Sequence, residues 1–178
     1  MSAQKEEDYA AAASACISHK DYVLAIDPGF TNFAVAGFTI DNKETTYMFG
    51  NTYDVQKDPH KIALHMKSVA HVCRQKGIRT ALIEFQPPIG GTAGGSARWN
   101  AYIEGCAAGV LASCGMHVIT IHPATVKSAL HLARGSNALN KVAVKEFAHK
   151  AVPQIQTSHL ADCYAIAEYY RQHLYNRL

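Results

Sequence analysis

Apolar positions in this chain fall into short unbroken runs and longer periodic stretches, and the two kinds alternate. Residues 22–26 are apolar without interruption, too short for a helix, and predict a buried strand. Asp27-Pro28-Gly29 reads as a turn, and the apolar run 33–40 predicts a second strand paired to the first as a hairpin. Asp41-Asn42-Lys43 turns the chain again, and residues 45–52, with Tyr47 and Phe49, predict a third strand. Pro59 suits the first turn of a helix reaching residue 76, with Ile62, Leu64, Met66, Val69, Ala70, Val72 and Cys73 leaning to one side and Gly77 as its cap. Residues 80–84 predict a fourth strand. A glycine-rich loop follows (Pro87, Pro88, Gly90, Gly91, Gly94, Gly95), then a helix over 96–113 and a fifth strand over 116–121. Pro123 marks a turn, and helices are expected near 126–132, 140–150 and 158–174. The order β-β-β-α-β-α-β-α-α-α predicts an α/β fold. Its five-stranded mixed sheet would have three antiparallel, hairpin-linked strands and two parallel ones, flanked by helices.

A length of 178 residues, 48% hydrophobic and 17% charged, suits one globular domain over 21–178 behind a flexible polar, Ala-rich extension, 1–20. No apolar run is long enough to span a membrane, and Lys5-Glu6-Glu7-Asp8 is unlike a secretory signal. The five cysteines are scattered, odd in number and without a Cys-x-x-Cys pair. Reduced thiols in an intracellular, reducing compartment are expected, not a disulfide frame or zinc ribbon.

A net charge of +3 says little until its distribution is considered. Between positions 121 and 150, Lys127, Arg134, Lys141, Lys145 and Lys150 face a single acid, Glu146. This stretch is either a solvated helix face or a surface for phosphates.

The candidate chemistry lies in three carboxylates beside apolar sequence. Asp27 follows the first strand's apolar run, Glu84 follows Ala81-Leu82-Ile83, and Asp162 lies in an apolar helical stretch. A carboxylate at the end of a buried strand is costly unless paired or bound to a cation. Asp27 and Glu84 sit at the carboxyl ends of strands, where α/β sheets gather function, and a last helix packed across the sheet would add Asp162. Each acid alone has a structural reading: a turn aspartate, an ion-paired glutamate, a solvent-facing aspartate. Together they suit Mg²⁺. Two such ions roughly 3.5–4 Å apart would serve phosphodiester hydrolysis. His159 shares a helical face with Asp162 and suits a metal ligand, a proton carrier or a locally bonded helix-end histidine. Gly105 and Gly109, one turn apart, suit close helix contact within the chain or between two copies. Arg98 and Trp99 follow the glycine-rich loop; Trp99 suits a core position or stacking on an unpaired base.

Three segments carry a resemblance. Leu24-Ala25-Ile26-Asp27-Pro28-Gly29-Phe30-Thr31-Asn32-Phe33-Ala34-Val35-Ala36 resembles the first motif of RuvC-type Holliday junction resolvases, within the RNase H-like superfamily. Ile83-Glu84-Phe85-Gln86-Pro87 is similar to the second acidic motif of the poxvirus and mitochondrial branches, with Phe85 where those branches commonly carry a basic residue. The stretch from Ser158 to Ala167 resembles the last motif, with His159 at a position that is Asp in many members and His in some bacterial ones. Lys127 matches the family lysine after the fifth strand, and Lys141 a second lysine one helix later. The resemblance implies an RNase H-like fold and a homodimer that resolves four-way DNA junctions by paired symmetric cuts in recombination and repair. It implies Mg²⁺ or Mn²⁺ at Asp27, Glu84, His159 and Asp162, with Lys127 at the scissile phosphate. Lys141, Lys145, Gln86, Arg98 and Trp99 are expected on DNA, and Gly105 and Gly109 at the dimer interface. An RNase H-like nuclease acting on RNA, and a junction-binding protein without catalysis, are the alternatives.

Overall fold

The computed structural model describes residues 20–29, 31–56, 58–86, 94–133 and 135–175, with backbone alone for 94–98. Residues 1–19 of the expected N-terminal extension, the Pro87–Gly91 part of the glycine-rich loop, the Arg98 side chain and Arg134 lie outside the described residues.

Five strands form one sheet: β1 (Asp21–Pro28), β2 (Asn32–Ile40), β3 (Thr45–Asp54), β4 (Thr80–Glu84) and β5 (His117–Ile121), in the order β3-β2-β1-β4-β5. β1 and β2 pair antiparallel, as do β2 and β3, whereas β4 runs parallel to both β1 and β5. The predicted mixed sheet is therefore present. The helices are α1 (Pro59–Gln75), α2 (Gly94–Ser113), α3 (Pro123–Ala129), α4 (Asn137–Ala151) and α5 (Ser158–His173). No helix among the described residues is long and apolar enough to cross a membrane.

Side chains alternate across a strand, so a sheet covered on both faces needs apolar residues at every position. β1 meets that demand. Val23 and Ala25 pack with Leu82 beneath α3, α4 and α5. Leu24 and Ile26 pack with Ala81 and Ile83 against α1 and α2. By the same alternation Asp27 and Glu84 belong to the α5 side of the sheet.

Local chemistry adjusts several expected elements. β1 runs through Asp27 and Pro28, which pair with Ala34 and Phe33, so the turn begins only at Gly29. A Cβ at Gly29 would lie 2.3 Å from the Asn32 carbonyl oxygen, which reserves this tight connection for glycine. α1 buries Ile62, Met66, Val69, Ala70 and Cys73, whereas Leu64 and Val72 are exposed, off that stripe. Asp58 caps α1 by accepting the His60 N–H at 2.8 Å, and Gly77 leaves the helix at φ +74°. Pro123 opens α3 rather than a turn: its missing N–H is harmless at a helix start, and His122 Nδ1 accepts the Ala124 N–H at 3.2 Å.

α5 is anchored far from the sheet's carboxyl ends. The buried Glu168 carboxylate accepts from Thr45 Oγ1 of β3 at 2.7 Å, Arg171 Nη2 at 2.5 Å and Gln172 Nε2 at 2.7 Å. Burial pushes this carboxyl upward, but the bonds from Arg171, Gln172 and Thr45 outweigh it and hold the group below its usual value. A lowered value contributes stability that is present above the unfolded value and lost as pH falls through the folded one. Glu168→Ala leaves the mostly buried Arg171 without its partner and is expected to cost about 3–5 kcal/mol in urea unfolding. Thr45→Val is expected to cost about 1 kcal/mol. Equal losses would mean that the Arg171 pair contributes nothing beyond a single hydrogen bond.

Candidate metal centre

The register of the sheet sets the first two carboxylates side by side. Ile26 lies opposite Ile83, so the next residue on each strand, Asp27 and Glu84, projects at the shared carboxyl end. α5 starts beside them: Thr157 Oγ1 accepts the Leu160 N–H at 3.2 Å, which fixes the first turn, and Asp162 follows one turn later. Carboxylate oxygens of Asp27, Glu84 and Asp162 all lie within 4.8 Å of one another. Asp27 is buried and the other two are half-buried. The positive end of the α5 dipole faces this negative cluster.

His159, on the first turn of α5, brings Nδ1 to 2.6 Å from Asp27 Oδ2. The Asp27 bond raises the imidazole's value against the opposing effect of burial, with help from the charges of Asp27 and Asp162. His159 thus meets the cluster through Asp27 and stands outside the group of three.

A cleft of about 350 Å³ opens on the carboxylates and is lined also by Gly29, Thr31, Gln86, Asn100, Lys127, Lys141 and His159. The structure thus brings together Asp27, Glu84, Asp162, His159, Lys127, Lys141 and Gln86. Lys145 is exposed one turn beyond Lys141 on α4 and does not line the cleft. Trp99 is not a core residue: it is 41% exposed and meets Tyr102 edge-on at 5.9 Å. Gly105 and Gly109 have open space where a Cβ would stand, so nothing among the described residues uses their smallness. Phe85 turns its ring toward His122, 5.6 Å between centroids.

Two cleft neighbours escaped the sequence reading. Glu104 Oε2 accepts the Gln86 N–H at 2.8 Å, and Asn100 Nδ2 donates to Gln86 Oε1 at 3.3 Å. The available signal was that Glu104 is the one acid in α2.

Electrostatics test whether the cluster suits a cation. Burial first, then the charges of Asp27 and Asp162, push Glu84 up to about 8, against the pull of Lys127. Burial and Asp27 push Asp162 up to about 6, with Lys127 and His159 opposing. Hard oxygen donors crowded at this spacing, and reluctant to ionise together, fit a divalent cation.

The sequence matches no family model and no curated protein. Solved structures do match. Thermus thermophilus RuvC in complex with Holliday junction substrate superposes with TM-score 0.65 at 19% identity, over 85% of this chain and 95% of that one. Fowlpox virus resolvase, solved with Holliday junction DNA, superposes with TM-score 0.55 at 16% identity, over 85% and 99%. The yeast mitochondrial Holliday junction resolvase Ydc2 gives 0.53 at 14% identity, over 93% and 90%. At these identities the likeness is one of fold, the RNase H-like fold of RuvC.

The raised values give a stability prediction. Between the ordinary carboxylate value, 4.5 for Glu84, and about 8, the folded chain binds more protons than the unfolded one. Stability from Glu84 and Asp162 is therefore full at low pH and lost as pH rises through about 6 and then about 8. His159, also raised, acts in the same direction. The melting temperature of chelator-treated protein should fall from about pH 5 to about pH 9, and Glu84→Gln or added Mn²⁺ should flatten the fall. A slope unchanged in Glu84→Gln would show that Glu84 does not titrate in this range.

Proposed function

We propose that this chain, within residues 21–178, is a structure-selective endonuclease. It would resolve four-way DNA junctions by paired, metal-dependent phosphodiester hydrolysis, acting as a homodimer. The observation that carries the reading is the carboxylate group of Asp27, Glu84 and Asp162 in a cleft that also holds Lys127 and Lys141. The fold supports it, being shared with RuvC solved with Holliday junction substrate and with two structures described as resolvases.

Asp27, Glu84 and Asp162 would hold Mg²⁺ or Mn²⁺, two ions in the complete site. Bound there, the cations supply an activated water and offset charge on the leaving oxygen. The remaining work falls to the chain's own groups. Lys127, drawn toward Glu84 and Asp162 in the same cleft, opposes negative charge building on the scissile phosphate. His159, held through Nδ1 by Asp27, presents Nε2 as a further ligand or as a carrier for one proton. Lys141 meets a backbone phosphate at the cleft, and Lys145 continues that basic track along α4. Trp99, exposed at the start of α2, is placed to stack on an unpaired base. Gly105 and Gly109 leave the outer face of α2 low enough for a second copy to approach closely. The described cysteines, Cys73, Cys106, Cys114 and Cys163, are free thiols, which supports a reducing intracellular setting.

The deciding assay sets a four-way junction beside duplex, fork and RNA–DNA hybrid in Mg²⁺. Symmetric paired nicks on the junction are expected; equal or better cutting of the hybrid would favour the RNA-acting alternative. Asp27→Asn, Glu84→Gln and Asp162→Asn should each lower cutting by more than about 100-fold with junction binding retained. Binding without cutting by the unaltered protein in any metal would make it a non-catalytic junction binder.

Neutralising Lys141 and Lys145 together should weaken binding to every junction sequence. The slope of log affinity against log salt should shrink by about 1.8. An unchanged slope would place both lysines off the DNA.

A further inference from the structure

Basic residues leave the cleft along α4, and a second set leaves its edge along α1. Residues 59–83 hold five of the chain's 17 lysines and arginines (Lys61, Lys67, Arg74, Lys76 and Arg79) and none of its 14 acids. Lys61 is half-buried and the other four are exposed. Among the described residues none of the five forms an ion pair. Lys61 Nζ donates to Gln56 Oε1 at 3.1 Å and Arg74 Nη2 to the Cys114 carbonyl at 3.2 Å, both neutral acceptors. A solvated helix commonly carries both signs, which pair along its surface. Cations gathered without acids keep their field and draw an anionic surface.

The strand directions tie this face to the metal centre. β1 and β3 each pair antiparallel with β2, so β3 ends at the sheet edge where Asp27 stands. α1 starts at that edge and runs back along the sheet. The link between them is bonded to the cleft: the Val55 N–H donates at 2.9 Å to the carbonyl of Thr31, a cleft-lining residue, and the Asp58 N–H donates to the Val55 carbonyl at 2.8 Å. From Lys61 to Arg74 the helix covers about 20 Å, the rise of about six base pairs. Lys67 and Arg74 share a side of it, and exposed Ser68 and Gln75 add neutral donors of the kind that meet phosphate oxygens.

α1 lies on one face of the sheet and α4, with Lys141 and Lys145, on the other. The sheet therefore stands between two basic tracks that diverge from one edge. A single duplex can follow one of them, whereas DNA that branches at the cleft can send an arm along each.

We infer that the α1 face is a second track for the DNA backbone and carries a different arm of the branched substrate from the arm on α4. The inference rests on the nuclease reading above and gives it a physical source of junction selectivity. Phosphate contacts carry no sequence information, but two tracks set apart by a sheet select shape.

The test measures binding by Asp27→Asn protein, which removes turnover, to a four-way junction and to linear duplex over a range of salt. Lys61→Gln combined with Lys67→Gln should lower the junction's slope of log affinity against log salt by about 1.8. Linear duplex can use either track and should lose no more than about twofold in affinity. A second measurement needs no altered lysine: junction DNA should slow acylation of Lys67 in the unaltered protein. An unchanged slope, or acylation of Lys67 at an undiminished rate, overturns the inference and leaves the face, with exposed Leu64 and Val72, to a protein partner or to solvent. Equal losses on junction and duplex overturn it too, because α1 would then be a general basic surface. The expected slope change without cutting by the unaltered protein in any metal would remove the nuclease reading and leave the track in place. Failure of the unaltered protein to bind the junction overturns both.

Discussion

Mutual repulsion among three carboxylates is the constraint around which this molecule is arranged. Asp27, Glu84 and Asp162 come from three separate elements, and oxygens of all three lie within 4.8 Å. Left to themselves, such groups separate or take up protons, and the raised Glu84 and Asp162 values record the second response. The fold prevents the first. β1 and β4 are locked in parallel register with apolar layers on both sides, and α5 lies across them. Lys127, His159 and the α5 dipole soften the repulsion without abolishing it. Carboxylates held together in this way suit a divalent cation, whose charge would offset the repulsion.

Alternation along the strands does much of the sorting. Because β1 is buried on both faces, a shift of one residue in its pairing would send Asp27 to the α1–α2 side and away from α5. The tight connection at Gly29 helps to hold that register, since no side chain fits against the Asn32 carbonyl. The turn therefore protects the placement of a carboxylate two residues earlier.

Much of this was legible from residue order. Continuous apolar runs announced the two-sided strands, and the acids directly after two of them announced the cluster, because a carboxylate at a buried strand end is costly unless paired or bound to a cation. What escaped depended on packing between elements. Leu64 and Val72 are apolar but fall off the buried stripe of α1, and apolar character alone could not separate them from Met66. Pro123 signals a turn and a helix start equally well, and only the His122 cap decides between them. The bond from His159 to Asp27 joins residues 132 positions apart and needs α5 to cross the sheet. Asn100 and Glu104 gain meaning only when α2 packs beside the end of β4.

α5 carries two acids of opposite circumstance. Asp162 is crowded by like charge, whereas Glu168 is satisfied by Thr45, Arg171 and Gln172. Six residues separate them, about 9 Å along a helix. The helix acts as a strut: it is pinned at the sheet's edge strand and loaded at the other end, where the charges push apart. The placement of the crowded carboxylate Asp162 is thus inherited from a polar knot that ties α5 to β3 at the far end of the helix.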